Sequence, residues 1–531
     1  MAAANISTAN VICLIETHTV SGAVSGNTGS VILSNNGVVI TTVNSGGASF
    51  ALSNQNYGVT YNISATSPDG QTCQVINGSG IIGLSDIDNV NVLCSNDVAS
   101  FVSSVSQAVL GIAVIFSDTS PVDVTNSLWD FGDGVTSDQS MTAHVYMATG
   151  TYNARLTITT SDGSSETKVK TIVVAPTISG GPQFTMVQTL SDGAQRTTLA
   201  FDGVAMLPGN IESQSFFPPG KVADYTGFQY LRDNDPDNMG HNTSFLTRLA
   251  NNVIFILNDA QLAKLKALAI SQLADVNEYA YKRFTMMKAF RDLVDRNSQP
   301  ISLNLLNIKS LSRDLYVIDG HIAFDRAYLY SEIFSSLDDS QKAYLENMKG
   351  LGWSSWPDVS EDQIRAKVAG LSQGTKTLVM TYAGDVFSWY AGNIDADIYF
   401  CPERHGTYYG GFYMKDAPAV GHEGYAIDEQ LTATSGTALI DPSKGYVTSV
   451  QASSISNLVN SQRVNLYTGS SNIVQLRADI SLLLRQLRVS LANSESIKSK
   501  VLAMSAKYGE LDGENNYFYA NAFAELNDSL S

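Results

Sequence analysis

The stretch Trp129-Asp130-Phe131-Gly132-Asp133-Gly134 decides the fold of the first third of the chain. An Asp-Gly pair is typical of a tight turn between antiparallel strands, because glycine adopts backbone angles that other residues avoid. His144-Val145-Tyr146 and Gly150-Thr151-Tyr152 follow, and Ala154-Arg155-Leu156-Thr157-Ile158-Thr159 then alternates apolar and polar side chains. Alternation with this period predicts a strand that buries one face. The stretch therefore indicates a small antiparallel β-sandwich.

From Val98 to Ala175 these motifs, together with Asp162-Gly163, resemble the PKD domain from end to end. The resemblance implies a seven-stranded, immunoglobulin-like sandwich that serves as a spacer or presentation module on an exported protein. It also implies that His144 and Asp130 are structural hydrogen-bonding groups. We assign residues 97–175 to this domain and residues 176–184, which are rich in Pro and Gly, to a linker.

Residues 19–96 carry short runs of alternating apolar and polar residues, separated by Asn-Gly, Gly-Gly and Asp-Gly pairs. This pattern predicts another antiparallel sandwich. The region resembles the tandem Ig-like modules of bacterial surface proteins. That resemblance implies a disulfide between Cys73 and Cys94, which is expected in an oxidising compartment.

Residues 1–18 are interpreted as the end of a preceding β module or as a tag, because Asn10-Val11-Ile12-Cys13 mirrors Asn91-Val92-Leu93-Cys94. On the first interpretation the natural chain continues upstream and Cys13 has lost its partner. The alternative is a buried free cysteine. The start of the sequence lacks the basic and apolar segments of a signal peptide, so we expect a processed or shortened form.

Composition narrows the classes of partner. The chain has 531 residues and a formal net charge of -18, and no stripe of Lys and Arg offsets this charge locally. Such a field repels phosphate backbones, so no nucleic-acid partner is expected. No apolar run reaches the length of about 18 residues that a membrane span needs, so no span is expected in this chain. We expect an extracellular protein, polymer or small ligand as the partner, and a secreted or cell-surface location.

Beyond the linker, residues 185–531 show helical periodicity: one helix is predicted to begin at the cap Asn258-Asp259, and another to run from about Gln363 to Tyr390. This region is also duplicated by sequence. Gly209 to Asp233 aligns without gaps onto Gly392 to Asp416, with nine identities in 25 columns. Further along, Ile318-Asp319-Gly320 aligns with Leu511-Asp512-Gly513. We place half A at about 185–358 and half B at about 375–531. The region resembles an uncharacterised duplicated helical domain of exported bacterial proteins. The predicted fold class is multidomain: two all-β Ig-like sandwiches, then a mainly α, internally duplicated helical domain with irregular Gly/aromatic loops.

The repeated loop holds the candidate site residues. Two histidines and two aspartates at matched places predict a mixed N/O metal site if the loops meet: His241, His422, Asp233 and Asp416. Matched basic and aromatic side chains are candidate binding residues: Lys221, Arg404, Tyr225, Tyr408, Tyr230 and Tyr413. The alternative is a structural role, in which each Asp pairs with a basic residue and each His caps a helix.

Two further features suggest chemistry. Asp233-Asn234-Asp235-Pro236-Asp237 spaces its carboxylates as a calcium loop begins, but it lacks the Gly and the Glu that such a loop needs. Cys401 takes the place of Pro218 in the repeat, so it is a candidate reactive thiol or an ordinary buried one. A cofactor is therefore unassigned, with a divalent or transition metal ion or calcium as candidates. Gly370-Leu371-Ser372-Gln373-Gly374 is predicted to be a turn between helices and not a nucleophile elbow.

The absence of a complete catalytic motif favours a non-enzymatic protein, in which β-sandwich spacers present a helical domain that binds a ligand, metal or partner. Two alternatives remain open. One is an extracellular metalloenzyme, redox or hydrolytic, that uses the paired His/Asp loops. The other is a subunit of an extracellular assembly.

Overall fold

The computed structural model describes residues 16–68, 71–95, 99–121, 124–161, 163–176, 185–206, 225–237, 244–297, 304–399, 441–445 and 447–530. Its first part is built of β-strands and its remainder of helices. This order confirms the predicted succession of a β-rich region and a helical region.

The N-terminal β region contains two four-stranded sheets. Its strands are Thr17–Ser25 (β1), Val31–Asn35 (β2), Val38–Val43 (β3), Ala48–Asn56 (β4), Thr60–Thr66 (β5), Thr72–Ile76 (β6), Ser79–Ile81 (β7) and Ile87–Ser95 (β8). One sheet has the order β4-β1-β8-β6 and the other has the order β3-β2-β5-β7. The alternation that predicted these strands buries Val20, Val31, Leu33 and Val90 completely in the core.

Sequence features fix two details of this sandwich. Asn36 and Gly37 have φ of 49° and 81°, so the Asn-Gly pair makes the tight turn between β2 and β3. Cys73 and Cys94 lie directly opposite each other on the paired strands β6 and β8 and form a disulfide. The pairing implied by the Ig-like resemblance is therefore confirmed.

The next β region holds the Trp-Asp-Phe-Gly-Asp-Gly stretch. Its strands are Phe101–Ser103 (β9), Gln107–Val109 (β10), Ala113–Asp118 (β11), Val124–Asp130 (β12), Thr136–Ser137 (β13), Met141–Val145 (β14), Gly150–Thr160 (β15) and Ser165–Ala175 (β16). They form a five-stranded sheet of order β10-β16-β15-β12-β13 and a three-stranded sheet of order β14-β11-β9.

The stretch is shaped by its glycines and its tryptophan. Gly132 has a φ of 85°, and a Cβ atom there would lie 2.9 Å from the backbone nitrogen of Asn153, so only glycine fits. Trp129 is fully buried, and its indole nitrogen donates to the carbonyl of Gln139 at 2.7 Å. A polar group buried in this way needs such a partner.

The helical region follows. Its helices are Met186–Thr189 (α1), Asp192–Met206 (α2), Phe228–Asp233 (α3), Ser244–Ile256 (α4), Asp259–Val294 (α5), Leu305–Ser336 (α6), Asp339–Met348 (α7), Glu361–Lys367 (α8), Gln373–Ala391 (α9), Ile394–Ile398 (α10), Ser449–Arg463 (α11), Ile473–Gln486 (α12) and Ser494–Leu530 (α13). Short 3₁₀ segments lie at Trp353–Ser355 and Pro442–Lys444, and a π-helical turn spans Val464–Thr468.

The predicted helix starts agree with the structure where a cap marks them. Asn258 caps α5 by accepting from the amide of Gln261, whose side chain bonds back to the Asn258 amide. The helix predicted from about 363 to 390 is broken into α8 and α9. Gly370 has a φ of 81° and Ser372 caps α9, so the predicted inter-helix turn at 370–374 is confirmed at its first residues.

The chain divides into two compact units. One comprises residues 1–102, 118–128 and 156–169, and the other comprises 103–117, 129–155 and 170–531. Strand β14 and the helices thus belong to the same unit. Within it, α6 and α13 pack against each other along their length, and the core is continuous from α4 through α13. No helix in the described ranges has both the length and the apolarity to cross a membrane.

Candidate functional site

Most of the candidate site residues lie outside the described residues: His241, His422, Asp416, Lys221, Arg404, Tyr408, Tyr413 and Cys401. Asp233 is the last residue of α3, and its side chain also lies outside the description. Tyr225 and Tyr230 are described. Of the two segments aligned by sequence, the structure therefore describes only residues 225–233 of the first and 392–399 of the second.

These ends of the two aligned segments are in contact. Gly227 has a φ of 76°, and a Cβ atom there would lie 2.8 Å from the Cβ of Ala396 in α10. The rings of Tyr230 and Tyr399 meet edge to face with centroids 5.2 Å apart. Burial raises the pKa of Tyr230 to about 12, with the charge of Asp395 acting in the same direction. Tyr230 is therefore neutral near pH 7.

Arg477 of α12 joins the two segments. Its guanidinium lies 5.1 Å from the ring centroid of Tyr225, and its Nε donates to the carbonyl of Tyr399 at 3.1 Å. Tyr225 is 3 % exposed, so its ring packs inside the protein. The described tyrosines therefore stabilise the contact between the segments through aromatic and cation–π packing.

A buried carboxylate lies beside this contact. Asp397 of α10 is fully buried and forms an ion pair with Arg485 of α12. Burial raises the pKa of Asp397 to about 6, although nearby arginines lower it: Arg485, Arg488 and Arg477. Ser481 donates to the backbone carbonyl of Asp397 at 2.9 Å. This cluster fixes α10 on α12 at the point where the second aligned segment begins.

The residues of the suspected calcium loop have another role in the structure. Asp235 accepts from the amide of Trp353 at 3.2 Å, and Asp237 accepts from the amide of Ser354 at 3.2 Å. Both carboxylates thus cap the 3₁₀ segment at Trp353–Ser355. Among the described residues, no group of three or more His, Cys, Asp or Glu side chains is arranged to hold a metal ion.

A closed polar network lies deeper in the helical core. Arg326 of α6 is 1 % exposed and pairs with Asp385 of α9 at 3.3 Å, and Tyr330 donates to the same carboxylate at 3.0 Å. Burial raises the pKa of Tyr330 well above its usual value. The network is sealed from solvent, so its function is to fix α6 against α9.

Strand β14 is joined to α12 by buried hydrogen bonds. Asp479 accepts from the hydroxyl groups of Thr142 and Ser137, the latter at 3.0 Å. Gln475 donates to the carbonyl of Ala143 at 2.8 Å and hydrogen-bonds with Nδ1 of His144 at 2.9 Å. We call these six residues the β14–α12 joint. Since β14 is an edge strand, the helix covers an edge that would otherwise be open to pairing.

The pKa values of two carboxylates at the joint, Asp479 and Asp133, are shifted in opposite directions. Burial raises the pKa of Asp479 to about 7 against the hydrogen bonds it accepts. Burial also acts to raise the pKa of Asp133, but its 2.8 Å hydrogen bond with Nε2 of His144 and the histidine charge help to hold that pKa below its usual value. His144 thus serves as a structural bridge between Asp133 and Gln475.

Sequence reasoning missed one open feature. A polar cleft of about 330 Å³ lies between α4 and the segment 353–361, and it is lined by Thr247, Arg248, Asn251, Trp353, Asp358, Val359 and Glu361. A signal was available in Gly350-Leu351-Gly352-Trp353-Ser354-Ser355-Trp356, because two of the four tryptophans stand three residues apart in a Gly/Ser-rich connection. Large aromatic residues in such a connection often mark a binding surface.

Comparison with known proteins bears on the β part of the chain. The profile of the family described as "PKD domain" matches residues 103–174. A microbial collagenase of Vibrio alginolyticus is 34 % identical over 100 residues, which are 17 % of this chain and 12 % of that protein. Collagenase ColA of Clostridium perfringens (strain 13 / Type A) is 29 % identical over 96 residues, 17 % of this chain and 9 % of that protein.

Both collagenase matches fall on the same region as the family match. The chain therefore spans about a tenth of the length of the curated relatives it matches. The Trp-Asp-Phe-Gly-Asp-Gly turn, the two sheets and the family match agree, and they confirm the resemblance read from the sequence. Residues 103–174 of this chain are a PKD domain.

Proposed function

We propose that this chain is an extracellular bacterial protein in which the PKD domain is a spacer that holds the helical region in a fixed orientation as a binding domain. The extracellular location is supported by the PKD domain and by the partial similarity to bacterial collagenases. The Cys73–Cys94 disulfide supports it too, because disulfides persist in oxidising compartments.

The observation that carries the proposal is the β14–α12 joint. A flexible tether would leave β14 solvated, but Thr142, Ala143 and His144 are at most 3 % exposed. Apolar side chains of the PKD strand and of the helices share one core cluster, which includes Val145, Ile473 and Leu482. A spacer that is packed in this way orients the region it carries.

We further propose that the helical region consists of two related halves. The sequence alignment equates Asp319-Gly320 with Asp512-Gly513, and the same spacing equates Ser312 with Ser505. Gly320 packs on Ser505, while Gly513 packs on Ser312. Such reciprocal contacts between equated positions of α6 and α13 are what a pseudo-twofold axis between halves produces.

The binding surface proposed for this domain includes the repeated loops where the halves meet. The contact between Gly227 and Ala396 supports this placement, since it joins the two aligned segments. The candidate metal ligands His241, His422, Asp233 and Asp416 belong to the same loops by sequence. A metal ion held by these residues would be needed by the alternative function, a metalloenzyme. Metal content measured together with turnover therefore distinguishes the metalloenzyme from a binding domain.

The test uses the full chain purified from an oxidising compartment. Elemental analysis is run on the wild type and on His241→Ala/His422→Ala, and hydrolysis of gelatin, casein and chromogenic esters is measured beside it. We expect no turnover by either protein. Saturable turnover that the double substitution removes together with a stoichiometric metal would replace the binding domain with the metalloenzyme.

A further inference from the structure

The polar cleft between α4 and residues 353–361 has the size and the chemistry of a ligand site. Its volume of about 330 Å³ falls in the range of small-molecule sites, about 300–1,000 Å³. It lies outside the repeated loops, and neither the PKD match nor the proposed function assigns it a role. The inference rests on the proposal that the helical region binds a ligand, and it names the class of that ligand.

Asn251 is the clearest sign that the cleft expects a partner. Asn251 lines the cleft and is 6 % exposed. Its side chain forms no hydrogen bond with any residue that the structure describes. The neighbouring Asn252 is fully engaged: it donates to the carbonyls of Arg248 and Pro357 and accepts from Tyr344. The amide of Asn251 therefore keeps its donors and its acceptor open to the cleft that it lines, where a ligand can bind them.

Trp353 supplies a fixed aromatic wall. The carboxylate of Asp235 accepts from its backbone amide at 3.2 Å, and Asp237 accepts from the amide of Ser354, so the backbone of the 3₁₀ segment is held in place. The indole is partly exposed and lines the cleft. An aromatic side chain on a backbone that is already fixed loses less conformational entropy when a ligand binds.

The charges of the lining are close to balanced. Glu361 is paired with Arg365 at 2.8 Å. Arg248 donates through Nε to the carbonyl of Pro357 at 3.4 Å. Arg248 forms no ion pair with a described carboxylate, and Asp358 forms none with a described basic side chain. One guanidinium, one carboxylate and one amide therefore remain to receive a ligand. This set favours a neutral ligand that both donates and accepts hydrogen bonds.

We propose that this cleft binds a neutral saccharide, with the C–H face of a sugar ring on Trp353 and its hydroxyl groups on Asn251, Arg248 and Asp358. A pyranose ring combines an apolar face with hydroxyl groups that donate and accept, which matches the aromatic wall and the mixed polar lining. Anionic sugars fit less well, because the chain carries a net charge of -18.

The test is calorimetric titration of the full chain with three neutral trisaccharides: cellotriose, maltotriose and triacetylchitotriose. At least one is expected to bind. Trp353→Ala and Asn251→Ala should each weaken that binding about tenfold or more, whereas Trp353→Phe should retain most of it. The matched control is Leu246→Ala, since this exposed residue lies on the same helix and does not line the cleft.

The outcomes separate this inference from the proposed function. If none of the three sugars binds the wild type, the saccharide proposal is overturned. The proposed spacer function of the PKD domain, which rests on the β14–α12 joint, is not affected by that result. If gelatin or another polypeptide binds instead and Trp353→Ala abolishes it, the cleft is a peptide site and the saccharide proposal also fails. Thermal unfolding of each variant confirms that it is folded before its titration is interpreted.

Discussion

Gly320 of α6 packs so closely on Ser505 of α13 that a Cβ atom at position 320 would lie 2.9 Å from the Cβ of Ser505. The reciprocal contact has the same character, since a Cβ atom at Gly513 would lie 2.6 Å from the Cβ of Ser312. Both glycines sit inside long helices, where glycine is otherwise unfavourable relative to alanine. Close approach of the two helices explains why glycine stands at both places.

Gly320→Ala and Gly513→Ala should each destabilise the protein. Alanine normally stabilises a helix interior by roughly 0.5–1 kcal/mol, but overpacking at these positions costs about 1–3 kcal/mol. We expect a net loss in the free energy of unfolding for both variants, of similar size because their contacts are reciprocal. Urea denaturation monitored by circular dichroism measures it.

The matched control is Gly384→Ala in α9. A Cβ atom there meets only the side chain of Leu249, at 3.7 Å, which is an ordinary contact. This variant should be neutral or more stable than the wild type. If all three alanine variants gain stability alike, the close approach of α6 and α13 is wrong.

Breaking the buried pair of Arg326 and Asp385 should be costly. Arg326→Met removes the guanidinium that pairs with the buried carboxylate of Asp385, to which Tyr330 also donates at 3.0 Å. Removal of one member of a buried pair costs about 3–5 kcal/mol, whereas an apolar replacement of both is far less harmful. Arg326→Met/Asp385→Leu should therefore be more stable than Arg326→Met. Equal losses in the single and double variants would show that the pair contributes little.

The disulfide should stabilise only its own module. Cys73 and Cys94 are 21 residues apart, and a loop of that length corresponds to about 3 kcal/mol in the chain-entropy account. Cys73→Ser/Cys94→Ser should expose strands β1–β8 to limited proteolysis while the helices stay resistant. Cleavage that spreads to the helices at the same rate would contradict this independence.

Stability should depend on pH through Asp479. Its pKa is raised to about 7 in the folded protein, well above the value near 4 of a free Asp side chain. The folded state therefore retains a proton that the unfolded state releases, so the stabilising contribution is complete below about pH 4 and is lost as pH rises through 7. The loss amounts to roughly 4 kcal/mol at most.

Asp479→Asn should remove this part of the pH dependence. Between pH 5 and pH 8 the melting temperature of the wild type should fall relative to that of the variant, because only the wild type ionises there. Asp138 adds negative charge near Asp479, and His144 lies in the same joint, but both remain in the variant. Parallel melting profiles for the two proteins would show that Asp479 does not titrate in this range.

Local signals in the sequence predicted much of the fold. The Asp-Gly turn after Trp129 and the alternating residues 154–159 gave the PKD strands, and Asn258 with Gln261 gave the start of α5. Each signal depends on neighbours in sequence, through a turn geometry or a cap. The turn at Gly370 was predicted because it too is a local signal. The division of the one helix expected there into α8 and α9 was not predicted.

The β14–α12 joint could not be predicted in this way. Thr142 and His144 look like the polar positions of a half-exposed strand, yet both are buried, and their side chains hydrogen-bond with Asp479 and Gln475 of α12. Their partners Gln475 and Asp479 lie more than 300 residues away in sequence. Only the tertiary fold brings such groups together. The same is true of Asn251 and Trp353, which meet across the cleft from separate elements.

The central claim is that strand β14 of the PKD domain is packed firmly on α12 of the helical region through the β14–α12 joint. Hydrogen exchange measured by mass spectrometry on the full chain tests it directly, with Gln475→Ala compared with the wild type and with Gln486→Ala as the control on the same helix. We predict that Gln475→Ala accelerates exchange in Met141–Val145 and Ile473–Gln486 together, while Gln486→Ala leaves β14 unchanged. Fast exchange of β14 in the wild type beside a protected α12 would contradict the claim.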